Sequence, residues 1–162
     1  MLTLTRSRTI PKFDNIHGIF GRLESNIIDG DKIKILTHEK PEIKTKVFPG
    51  GSPYDSLMPA GKYFIKKEVF KRDPHGVYCL YNQNNNVYLH KTDTASLSDM
   101  YGAIFTSSIP QLHAGPVICI GTDIVSIDGE RALSQTNQAF DKLYRFLNKH
   151  PEERELTITW DK

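Results

Sequence analysis

His90, Cys119 and His113 are the residues of this 162-residue chain best suited to covalent or proton-transfer chemistry. His90 ends the run Val87-Tyr88-Leu89-His90, and Lys91-Thr92-Asp93 follows. Strand ends beside loops are where scaffolds present reactive groups, and an imidazole there can serve as a base or a metal ligand. A partly buried histidine bonded to backbone explains the same residue and is the preferred reading. Cys119, six residues after His113, invites a thiol–imidazole reading, because a catalytic cysteine needs a base to form thiolate. Its neighbours Ile118 and Ile120 instead place it inside a strand, where burial raises a thiol's pKa and denies access. A core role is therefore preferred for Cys119. The candidate catalytic residues are His90 and Cys119, and the candidate binding residues are Tyr88, Asp93, Tyr101 and His113.

Other chemistries lack their signatures. Asp93, Asp99, Asp123 and Asp128 do not reproduce an EF-hand or another compact cation loop. Cys79 and Cys119 are the chain's two cysteines and lack CxxC spacing, so no metal site is expected. Both lie in apolar runs and read as buried free thiols. There is no phosphate-binding glycine loop, GxSxG elbow or HExxH helix, which excludes nucleotide enzymes, common serine hydrolases and zincins. No cofactor is expected.

The elements that must position these residues are mostly strands. Met1 to Arg8 alternates apolar and polar residues and reads as a first strand, not a secretory signal. Gly18 to Leu23 and Lys32 to Thr37 flank Asp29-Gly30, a strong hairpin turn because glycine accepts positive φ. Residues 49–62 hold Pro49, Gly50, Gly51, Pro53, Pro59 and Gly61 and form a surface loop. Lys62 to Phe70 is a strand. Val77 to Tyr81 and Val87 to His90 read as a hairpin across an Asn-rich turn. A long loop is expected at about 92–115. Val117 to Gly121 is a wholly apolar run, expected to be a strand buried on both faces, and Asp128-Gly129 a turn.

One helix is expected over Thr136 to Asn148, with Phe140, Leu143, Tyr144 and Leu147 forming its apolar stripe. Pro151 ends it, with Lys149 and His150 at its C-terminus. Leu156 to Trp160 is a last alternating strand. The expected architecture is α+β and mainly β: a single compact barrel- or roll-like domain over 1–162, with one C-terminal amphipathic helix before the last strand.

The formal charge is +2, and lysines and arginines are scattered, not gathered into a stripe. Nucleic acid is accordingly not an expected partner. No run approaches the roughly 18 apolar residues that a membrane-spanning helix needs, so membrane insertion is not expected. Without a secretory signal, synthesis in the cytoplasm is expected.

The order of segments resembles a small phage and bacterial β-domain family of unknown function, itself distantly similar to the L,D-transpeptidase cell-wall enzymes. The marks are Leu4-Thr5-Arg6, Gly21-Arg22-Leu23, Thr37-His38-Glu39, Pro59-Ala60-Gly61-Lys62-Tyr63, the strand ending in His90, and Val117 to Gly121. They span nearly the whole chain, although only Pro-Ala-Gly-x-Tyr and the histidine strand are at all specific. Two departures stand out. Family members commonly read His-x-Gly-Asn where this chain has His90-Lys91-Thr92-Asp93. Where they place Gly-Cys, this chain has Pro116 and Val117, and Cys119 lies two residues further on. Two residues along a strand move a side chain about 6–7 Å, too far for an unchanged nucleophile.

The resemblance therefore implies a degenerate copy: a phage-type structural or attachment module without catalytic activity. It would act in an oligomer with other virion or assembly proteins and reside in the virion if phage-encoded. The alternatives are a peptidoglycan-active, L,D-transpeptidase-like enzyme using His90 and Cys119, or a module binding peptidoglycan or surface glycans through Tyr54, Tyr78, Tyr88 and Tyr101.

Overall fold

The structure is a computed structural model that describes residues 1–8, 18–25, 32–39, 58, 60–70, 73–82, 87–88, 100–101, 104–107, 117–127 and 129–161, with the backbone alone at 68–70, 73–76, 87–88, 100–101, 104, 127 and 130. The chain runs β1 (Leu2–Arg6), β2 (Ile19–Ser25), β3 (Lys34–Glu39), β4 (Gly61–Phe70), β5 (Asp73–Tyr81), β6 (Val87–Tyr88), β7 (Met100–Tyr101), β8 (Ile104–Thr106), β9 (Val117–Gly121), β10 (Asp123–Ile127), β11 (Glu130–Ser134), α1 (Thr136–Lys149) and β12 (Glu155–Trp160).

Eight strands close a barrel in the order β1-β12-β4-β5-β8-β9-β3-β2. The first and last strands seal it by parallel pairing, Leu2 opposite Leu156 through Arg6 opposite Trp160. Alternation decides what each strand sends inward. Leu2 and Leu4, Leu23, Ile35, Tyr63 and Ile65, Leu80, Ile118 and Ile120, and Leu156 and Ile158 meet in one buried cluster. The architecture is mainly β with one helix before a last strand, as the periodicity predicts.

Helix α1 closes the barrel end at which Ile33 enters β3, burying Ala139, Leu143, Phe146 and Leu147 in the barrel cluster. These lie at i, i+4, i+7 and i+8, so the buried stripe is turned from the expected Phe140–Tyr144 line. Phe140 and Tyr144 stack on each other at 4.1 Å along its margin. The turn has a polar cause, because the Tyr144 hydroxyl must reach the barrel wall to accept the backbone N–H of Tyr78 at 3.0 Å. At the helix C-terminus Arg154 is the cation that satisfies orphan carbonyls, donating to Leu147 and His150 oxygens at 3.0 and 3.2 Å.

Two expected connections differ. Among the described residues, Val87 and Tyr88 do not pair with β5, which lies between β4 and β8. Val87 and Tyr88 form a short parallel bridge with Met100 and Tyr101. Inside the stretch expected to be one long loop at about 92–115, Ile104–Thr106 is a barrel strand, parallel to β9. A three-residue strand is too short for its alternation to show in sequence. The strands on either side of Asp29-Gly30 do pair, Glu24 opposite Lys34, although the turn itself lies outside the described residues. A second hairpin, β10–β11, turns at Gly129 and places Leu133 against Phe20 and Cys119 on the barrel's outer surface.

Candidate functional site

The two sides of β3 carry the polar chemistry of the described barrel. Thr37 and Glu39 face inward, and His38 between them faces outward, as period two requires. On the outward side the strand registers line up Phe20, His38, Cys119 and Thr106 as successive neighbours across β2, β3, β9 and β8. All four are buried. Phe20 stacks on the His38 ring, with centroids 4.2 Å apart and planes 11° from parallel.

Cys119 is thus opposite His38, the cross-strand arrangement in which side chains stand about 4.5–5.5 Å apart at Cβ. Its electrostatics oppose nucleophilic use. The residue is 2% exposed, and burial pushes the thiol up to about 12, against a smaller opposing pull from a backbone hydrogen bond at Ile120. The Sγ lies 4.0 Å from the Ile120 oxygen, its neighbour's backbone. A neutral thiol without solvent access is a packing group, as the flanking isoleucines predict.

On the inward side, at the barrel end away from α1, Arg6 meets Glu39. Nε donates to Oε2 at 2.8 Å and Nη2 to Oε1 at 2.7 Å, a two-pronged pair with side chains 1% and 3% exposed. Arginine suits this place because its planar fork matches a carboxylate. The Arg6 guanidinium also lies 5.6 Å from the Trp160 ring centroid, and Arg8 covers the same ring at 4.3 Å. Beside the pair, the buried Thr37 Oγ1 has no hydrogen-bond partner among the described residues. A Cβ at Gly21 would come within 2.5 Å of the Thr5 carbonyl and 3.0 Å of Thr37 Oγ1, so only glycine permits this approach of β1, β2 and β3.

Of the residues singled out from sequence, His90, Asp93 and His113 lie outside the described residues, as does Tyr54. Tyr88 and Tyr101 are brought opposite each other by the β6–β7 bridge. Tyr78 is 1% exposed, its hydroxyl donating to Asn148 and its pKa raised by burial, so it is no exposed platform. The imidazole beside Cys119 is His38, whose only mark in the sequence is its place in Thr37-His38-Glu39. Alternation on β3 shows that His38 faces away from Thr37 and Glu39; which strand lies beside it depends on the barrel order. Among the described residues no cluster of His, Cys, Asp or Glu could hold a metal ion, and no helix is long and apolar enough to cross a membrane.

Comparison with protein-family models, with curated proteins and with solved structures found no match.

Proposed function

We propose that this chain is a non-catalytic structural or attachment module of a phage-type assembly, acting in an oligomer with other assembly proteins. The observation that carries the reading is the state of Cys119: a neutral thiol, 2% exposed, in a packed row beneath the β10–β11 hairpin. The marks of the resemblance favour the same reading, because several of them hold the barrel together. Arg6 and Glu39 pair, Gly21 permits close strand approach, and Tyr63 fills the core. A second reading, a peptidoglycan-active enzyme, draws on one specific feature, the placement of His38 opposite Cys119.

Incubation of purified bacterial sacculi with the folded protein, followed by mass spectrometry of released muropeptides, separates the two. The structural reading expects the same profile from wild-type protein, Cys119→Ala and buffer. New or altered cross-links that vanish in Cys119→Ala would establish the enzyme.

A further inference from the structure

Outside the rows already described, a charged concavity lies between α1 and the residues entering β3. It has a volume of about 700 Å³. Lys32 stands on one wall, and Lys142, Arg145 and Lys149 stand on the helix wall, with Asp141 the one carboxylate among the described lining residues. Among the described residues no ion pair engages Lys32, Lys142 or Arg145. Among the described lining residues, four cations stand against one carboxylate. The floor is apolar, with Ile33 and Phe146 each 3% exposed.

We propose that this groove docks an acidic, extended segment of a partner protein. The inference rests on the assembly reading and gives that reading a class of partner. Charge complementarity is the main argument, since facing potentials of opposite sign steer encounter and fix register. Spacing supports it. Lys142, Arg145 and Lys149 lie on one helix face with rises of about 4.5 and 6 Å between them. Same-side side chains of an extended peptide repeat about every 6–7 Å, a difference that lysine and arginine stems absorb. From Asp141 to Lys149 the wall is about 12 Å long, the reach of about four extended residues. Nucleic acid fits less well. Single strands bind on aromatic platforms, and the one aromatic ring among the described lining residues, Phe146, is buried beneath the cations. Asp141 would also face the phosphates.

The test is fluorescence anisotropy of a labelled ten-residue peptide alternating glutamate and threonine, titrated with the full chain at low salt. Saturable binding that weakens with added salt is expected. The double reversal Lys142→Glu/Arg145→Glu should weaken it about tenfold or more, whereas Lys62→Glu on the outer face of β4 should leave it within about twofold. Asp141→Asn should tighten it. Unchanged circular dichroism spectra of these exposed variants keep the comparison valid. Absent saturation, equal weakening by Lys62→Glu, or preferential binding of a ten-nucleotide oligothymidylate through the same residues would overturn the proposal. None of those outcomes bears on the muropeptide profile, so the groove can fail while the non-catalytic reading stands.

Discussion

Glu39→Gln is expected to lower the unfolding free energy by about 3–5 kcal/mol, because it leaves the Arg6 guanidinium charged, buried and without its counter-ion. For a chain of this size that corresponds to a fall in melting temperature of about 6–20 °C. Arg6→Met should cost a similar amount by stranding the Glu39 carboxylate. The double variant Arg6→Met/Glu39→Leu should recover most of the loss, since two apolar groups of matching volume remove both desolvation penalties together. Urea unfolding of wild type, Arg6→Met, Glu39→Leu and the double variant forms a cycle, and the coupling energy is the quantity to read. Single variants within about 0.5 kcal/mol of wild type would mean that the pair is open to water.

The second large effect is expected at Gly18→Ala. Gly18 has φ of +115°, outside the range that side-chain-bearing residues readily adopt. A Cβ there would also lie 2.2 Å from the Glu39 carbonyl oxygen and 2.6 Å from His38 Nε2. The first contact is backbone and cannot swing aside, and the second would push His38 from its stack on Phe20. Strain and overpacking together should cost about 3 kcal/mol or more. Gly129→Ala supplies the comparison: its φ is +82°, but nothing lies within 4 Å of the added carbon. That change should cost only about 1 kcal/mol, the backbone part alone. Equal losses at the two positions, read by thermal unfolding, would show that the contacts around Gly18 are slack.

Much of the barrel was legible because its longer strands obey period two. Leu2, Leu4, Lys34 to Leu36 and Leu156 to Trp160 announce both strand and face, and the wholly apolar Val117 to Gly121 announces a strand covered on both sides, as found. The helix was legible from its stripe and from Pro151. Periodicity cannot show which strand neighbours which. The seal between β1 and β12 and the parallel entry of β8 beside β9 join segments distant or poorly patterned in sequence.

The same gap hid the site. His38 and Cys119 are 81 positions apart, and only barrel order makes them neighbours, so reading along the chain paired Cys119 with the nearby His113 instead. Arg6 and Glu39 were noted as marks of a resemblance, but that they form one buried ion pair follows from the β1–β2–β3 order. The orientation of α1 was off by part of a turn because Tyr144, apolar in pattern, answers to a hydrogen bond with the Tyr78 backbone.

In the proposed non-catalytic scaffold Cys119 is a packing group. The most direct test of that role is the rate at which iodoacetamide alkylates native Cys119 at pH 8, followed by peptide mass mapping, which separates it from the equally buried Cys79. With the thiol pushed up to about 12, about one molecule in ten thousand is thiolate at that pH, against roughly one in four for a free cysteine. Native protein is expected to stay unmodified over the time in which a free thiol reacts completely, and to be fully modified in denaturant. Rapid, stoichiometric alkylation of native Cys119 would contradict it, exposing a thiolate beside His38 and turning the row into an active site.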